Sequence, residues 1–291
     1  MRAWLLLLPV LLAGCGGDAR PSGPPPDETL QRETRAARLA YDLERPAEAV
    51  ADYRAALTRA QERDDLGAIG DIGYNLAVAE LDNNMADRAL ADARATRAEL
   101  ERRGAKPSPA LLLVEATALY RLHSVADADV LAARVAGENN PEAAARATFL
   151  RGLIADEKND TSGLAAALAA LATPTQPSLQ GDAAELAARL ALRQGDPARA
   201  RQKAERAAQL RQDTLDYRGL ARALAVAGEA ARRAGDNAAA ADFLLRAGRS
   251  ALAQDDKDSA RPWLKEAITL APNSTIAATA TDLLQKLDHH E

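Results

Sequence analysis

The stretch Asp256-Lys257-Asp258-Ser259-Ala260-Arg261-Pro262-Trp263-Leu264-Lys265-Glu266-Ala267-Ile268-Thr269-Leu270-Ala271-Pro272 holds the rule by which most of the chain is built. It opens on Asp, a residue that caps the free N–H groups of a starting helix. Ala260, Leu264 and Ala267 then fall at i, i+4 and i+7, which is one helical face. Pro272 closes the stretch, since proline is common just past a helix end. Two of the three face positions are Ala, so this helix can approach a neighbour closely.

The same pattern recurs outward from here. Turn markers stand at Glu44, Asn84, His123, Asn159, Gly195, Gly235 and Asp255, at steps of 40, 39, 36, 36, 40 and finally 20 residues. Gly and Asn suit the left-handed end of a helix, while the Asp, Ser and Pro beside the markers suit the start of the next. Five residues past each marker come Ala49, Ala89, Ala128, Leu164, Ala200, Ala240 and Ala260. Four further on stand Tyr53, Ala93, Ala132, Leu168, Ala204, Leu244 and Leu264, and three beyond that Ala56, Thr96, Val135, Leu171, Ala207, Ala247 and Ala267. Seven residues before each marker lies another small residue: Ala37, Ala77, Ala116, Gly152, Ala188, Gly228 or Gly248. Small residues facing one another let two antiparallel helices pack closely.

Composition points the same way. Of 291 residues, 71 are Ala and 42 Leu, and only 3% are aromatic. Helix formers dominate and β-branched residues are scarce, which disfavours a parallel sheet or a β-sandwich. A single Cys excludes a disulfide scaffold, and three His, two of them the terminal pair His289-His290, leave little for a metal site or His-based catalysis. The net charge of −5 makes the chain a poor nucleic-acid binder.

The small-residue steps, the Leu or aromatic between them and the Pro after the second helix resemble the tetratricopeptide repeat. The resemblance implies an all-α fold, an α-solenoid of about seven antiparallel helix pairs in a TPR-like superhelix over residues 27–287, with the segment after Pro272 capping the array. Most steps exceed the ~34 residues usual for such repeats, and several family aromatics are Ala. The last 20-residue step lets residues 237–254 serve as a second helix or as the first helix of the next pair. Residues 173–181, with Pro174 and Pro177, form the longest internal break. They divide two sub-domains or lengthen one loop of a continuous superhelix; the step of 36, kept before and across the break, favours the loop.

The chain begins Met1-Arg2-Ala3-Trp4-Leu5-Leu6-Leu7-Leu8-Pro9-Val10-Leu11-Leu12-Ala13-Gly14-Cys15: a basic start, an apolar run too short to span a bilayer, then small residues. Leu12-Ala13-Gly14-Cys15 resembles the lipobox of bacterial lipoproteins. That resemblance implies a signal peptide over residues 1–14 and acylation of Cys15, the chain's only thiol, with palmitate-type chains. Gly16 after the Cys, where Asp is the inner-membrane retention signal, implies an outer-membrane address facing the periplasm. Residues 15–26, rich in Gly and Pro, read as a tether. Residues 288–291 read as a polar tail.

Motifs for phosphate, dinucleotide, serine-hydrolase, zinc-protease or calcium chemistry are missing. Asp255-Asp256-Lys257-Asp258 lacks the spacing of a calcium loop and reads as helix capping. His123 occupies a turn position, where His tolerates a left-handed backbone. Asp156-Glu157 is the one adjacent acidic pair on the inner face, and sequence neighbours on a helix do not face each other. Catalytic residues, metal ligands, cofactors and a small-molecule substrate are therefore not expected. In the resembled family the first helix of each pair lines the concave groove. Carried over by repeat, the groove positions are Arg38, Tyr41 and Asp42; Tyr74, Val78, Leu81 and Asp82; Leu113, Tyr120 and Arg121; Phe149, Leu153, Asp156 and Glu157; Glu185, Arg189 and Arg193; and Glu229, Arg232 and Arg233. Tyr41, Tyr74, Tyr120 and Phe149 put aromatics towards one end and Arg189, Arg193, Arg232 and Arg233 put cations at the other, the residue types that anchor interfaces. The alternative is that the aromatics fill gaps between Ala-rich helices. The expected function is a non-enzymatic scaffold or adaptor for envelope proteins or peptides, held at the membrane by Cys15, or alternatively a structural subunit of an envelope export or secretion complex.

Overall fold

A computed structural model describes residues 25–171 and 176–289. The signal segment 1–14, Cys15 with most of the tether, the start of the 173–181 break and residues 290–291 lie outside the described residues. Fourteen helices follow one another among those described. They pair as α1 (Glu28–Asp42) with α2 (Pro46–Glu62), α3 (Leu66–Asp82) with α4 (Ala86–Arg102), and α5 (Pro109–Arg121) with α6 (Val125–Ala136). Next come α7 (Pro141–Glu157) with α8 (Thr161–Ala170), α9 (Pro177–Arg193) with α10 (Pro197–Asp213), α11 (Tyr217–Arg233) with α12 (Asn237–Leu252), and α13 (Lys257–Leu270) with α14 (Thr275–His289).

The helix ends follow from side chains. Asp27, Asp65, Ser108, Asn140, Asp160, Asp196, Asp216, Asp236 and Asp256 each accept the N–H three residues on, and Pro46, Pro109, Pro141, Pro177 and Pro197 take the first helical position, where no N–H is needed. Asp256 thus caps α13, with its Oδ1 3.1 Å from the Ser259 N–H. All seven sequence markers have left-handed φ: Glu44, Asn84, His123, Asn159 and Asp255 near +57°, Gly195 at 75° and Gly235 at 81°.

Packing obeys the small-residue rule. Of the positions five, nine and twelve past each marker and seven before it, only Leu168 is not buried. Volumes compensate between facing helices. Ala77, Ala116 and Ala188 pack with Ala93, Ala132 and Ala204, whereas Gly228 and Gly248 stand opposite Leu244 and Leu264. A methyl on Gly228 would lie 2.9 Å from the Leu244 side chain, and one on Gly248 2.7 Å from Leu264. Larger residues there would overpack, at about 1–3 kcal/mol. Helix α12 therefore does both jobs its sequence allowed: Leu244 packs on α11 as a second helix, and Gly248 receives Leu264 of α13 as a first.

Each helix packs on the next, and first helices also touch across repeats: α3 with α5, α5 with α7, α7 with α9, α9 with α11. They form the inner layer of an all-α solenoid. Helix α9 begins at Pro177, inside the expected 173–181 break, and packs on both α7 and α8, so the break is shorter than the sequence suggests and the array continues across it. The curl is tight enough to bring distant turns together. Asn84 Nδ2, in the α3–α4 turn, donates to the Gln254 carbonyl at 2.5 Å, and Arg218, in the first turn of α11, donates to Asn84 Oδ1 at 2.8 Å and to the Asp82 carbonyl at 2.7 Å. One edge of the second pair thus meets the opposite edge of the sixth, and the superhelix closes on itself along a polar seam.

Candidate functional site

The groove positions act first on one another. Tyr41 donates to Asp82 Oδ2 at 2.5 Å, tying α1 to α3, and Arg121 donates to the Leu81 carbonyl, tying α5 to α3. Arg189 and Arg193 of α9 both reach Asp156 of α7, at 3.0 and 2.7 Å. Arg233 donates to the Leu192 carbonyl at 3.0 Å, tying α11 to α9, and Arg232 lies 3.4 Å from Glu266 of α13. These side chains staple successive first helices along the concave wall. Tyr74 is half-buried against α4 and α5 neighbours, and burial raises its pKa.

Phe149 does not stand open on the groove. It is 9% exposed and carries two guanidiniums over its ring, Arg211 at 5.5 Å and Arg222 at 5.8 Å. Tyr120, half-buried, packs in the same region, so these two aromatics fill space between inner helices. Glu185, also placed on the groove by its repeat position, is fully buried. It gathers Arg189 at 2.9 Å, Arg222 at 3.3 Å and Arg211 at 3.4 Å. Burial would raise its pKa, but Arg222, Arg189 and Arg211 outweigh that and hold the carboxyl down at about 2. Arg211 enters this hub from α10, pairs with Asp182 and lies 2.6 Å from Asp216. It fits because Gly181 and Gly219 flank it: a methyl on Gly219 would lie 2.6 Å from its Cδ, and one on Gly181 3.0 Å from its Nε. At the seam, burial and then repulsion by Arg218 bring the Arg121 pKa down to about 10.

Beside this hub the concave face is hollow. A pocket of about 310 Å³ is lined by Asp156, Arg189, Leu192, Arg193, Arg222, Ala225, Val226, Glu229, Arg233 and Trp263. Four guanidiniums face two carboxylates, with an indole and aliphatic side chains between them. The repeat positions place Arg189, Arg193 and Arg233 here; Arg232 lies beside it, while Tyr41, Tyr74, Tyr120, Arg121 and Phe149 do not line it. Arg222 and Trp263 were not among the sequence candidates. Arg222 lies two helical turns before Glu229, the first of the positions carried over on α11, and on the same face, so extending the pattern by those two turns would have found it.

The family model of the tetratricopeptide repeat matches residues 241–274, which span most of α12 and all of α13. The chain is a tetratricopeptide-repeat-like α-solenoid. In that match α12 takes the place of a first helix, in keeping with its packing on α13. A tetratricopeptide repeat protein from Parabacteroides merdae, 16% identical, superposes with a TM-score of 0.51 over 88% of this chain and 98% of its own. The apo form of the quorum sensor NprR from B. thuringiensis, 11% identical, does so with 0.53 over 91% of this chain and 72% of its own. At these identities the likeness is one of fold. No curated protein matches the chain by sequence. Among the described residues, no group of three or more His, Cys, Asp or Glu could hold a metal ion, and no helix is long and apolar enough to cross a membrane.

Proposed function

We propose that the protein is a lipid-anchored scaffold of the bacterial envelope, held by Cys15 in the outer membrane with its TPR-like solenoid facing the periplasm, and that the concave pocket receives a segment of a partner protein. The anchor rests on the lipobox-like Leu12-Ala13-Gly14-Cys15, and the observation that supports partner binding is the pocket itself: four Arg side chains and Trp263 around a hollow of about 310 Å³ on the inner face. Arg and Trp dominate the energetics of protein interfaces, and a guanidinium fork matches a carboxylate. The partner segment accordingly carries acidic side chains, set against Arg193 and Arg233, and an apolar or aromatic residue set against Trp263. Its remaining length runs along the staples towards Tyr74 and Tyr41.

Two variants test the parts separately. Cys15→Ala is expected to move the protein from the membrane to the soluble fraction; retention in the membrane contradicts the anchor. Arg193→Glu with Arg233→Glu is expected to abolish capture of the partner by crosslinking in intact envelopes while helicity is retained. Unchanged capture contradicts the pocket.

A further inference from the structure

We propose that the polar seam between the α3–α4 turn and the start of α11 is a gate on the concave pocket, so that a partner segment gains full entry only when the superhelix opens. The proposal rests on the pocket being the binding site. Three hydrogen bonds close the seam, joining residues 134 to 170 positions apart: Arg218 to Asn84, Arg218 to the Asp82 carbonyl, and Asn84 to the Gln254 carbonyl. All three are formed by groups at turns or helix ends that solvent reaches, where water competes with each bond. In a solenoid whose stability resides in neighbouring pairs, such a contact can part without unfolding any pair.

Charge already works against closure. Arg121, at the end of α5, is within electrostatic reach of both Arg218 and Arg222. The closed seam therefore holds three guanidiniums of like sign near one another, partly offset by Asp82 and Asp256. Arg222 follows Arg218 by one helical turn and forms part of the pocket wall. Tyr120 of α5 also lies within electrostatic reach of Arg222 and Arg189. Closure thus sets the ends of α3 and α5 against the flank of the pocket, and movement at Arg218 is movement of that flank. A binding-competent state that is only partly populated lowers apparent affinity by the populated fraction.

The test uses the full chain and needs no partner. In a Cys15→Ser background, Ala225→Cys places one thiol on the pocket wall. Its labelling is timed with a small methanethiosulfonate and with a maleimide carrying a long polyethylene glycol. Arg218→Ala and Asn84→Ala are expected to increase the radius of gyration in solution scattering and to speed labelling by the bulky reagent about tenfold, as loss of one or two hydrogen bonds implies. The rate with the small reagent is expected to hold. Equal bulky-reagent rates with the seam intact and removed overturn the gate, whether or not the radius changes. Failure of the pocket as a binding site would instead appear in the capture experiment, so the two failures are distinguishable.

Discussion

Glu80 shows how far a single side chain can depart from what its neighbours in sequence suggest. It lies within α3 and is fully buried, with Arg54 of α2 on one carboxyl oxygen and no hydrogen-bond partner for the other. Burial, and then the Asp92 carboxyl, push its pKa up to about 8. A carboxyl whose folded pKa is raised adds stability below its ordinary pKa near 4.5, and that contribution is lost as pH rises towards 8. Glu80→Gln mimics the protonated form. Chemical denaturation is expected to show the variant more stable than the parent at pH 8, with the difference shrinking towards pH 5. A variant less stable at pH 8 would mean that Glu80 is ionised and held by Arg54. The sequence did not reveal this residue, nor the Glu185 hub, because the repeat step orders residues within a pair whereas these ion pairs run between helices. Arg211 is the clearest case. Its place depends on two glycines, Gly181 and Gly219, on different helices and 38 positions apart, and on carboxylates from α9 and the cap of α11.

The helices were far more legible. Their breaks need left-handed backbone, and most residues that supply it stand out: Asn84, His123, Asn159, Gly195 and Gly235. Breaks that fall between the spaced markers did not stand out. Asp64 and Leu215 also have φ near +57°, between α2 and α3 and between α10 and α11, and neither was a marker. Leu215 is the costly one, a γ-branched side chain 64% exposed in a conformation that disfavours any side chain by about 1–2 kcal/mol. Leu215→Gly is therefore expected to stabilise the fold by about 1 kcal/mol in denaturant unfolding, since little burial is lost. A destabilised variant would show that the Leu215 side chain makes a contact worth more than the strain. The dual role of α12 was legible as an ambiguity of register, and packing satisfies both registers through Gly228–Leu244 and Gly248–Leu264.

At the scale of the whole molecule, the helix count and the order of pairs follow from the sequence, but the closure of the superhelix does not. Curvature is a sum of small tilts set by the volumes between helices, and the contacts that report it join residues as far apart as Asn84 and Gln254. The same tight curl explains why the groove divides as it does. Tyr120 and Phe149 are absorbed between inner helices, the Arg residues staple first helix to first helix, and hollow space remains beside Trp263. Under the proposed function, partner binding belongs to that one face of the molecule. A photo-crosslinking residue placed in turn at Ala225 and Trp263 in the pocket, and at Val130 on the exposed side of α6, tests this directly in intact envelopes. One discrete adduct from the two pocket positions and none from Val130 is the expected outcome. An adduct from Val130 alone, or the same adduct from all three, would contradict it.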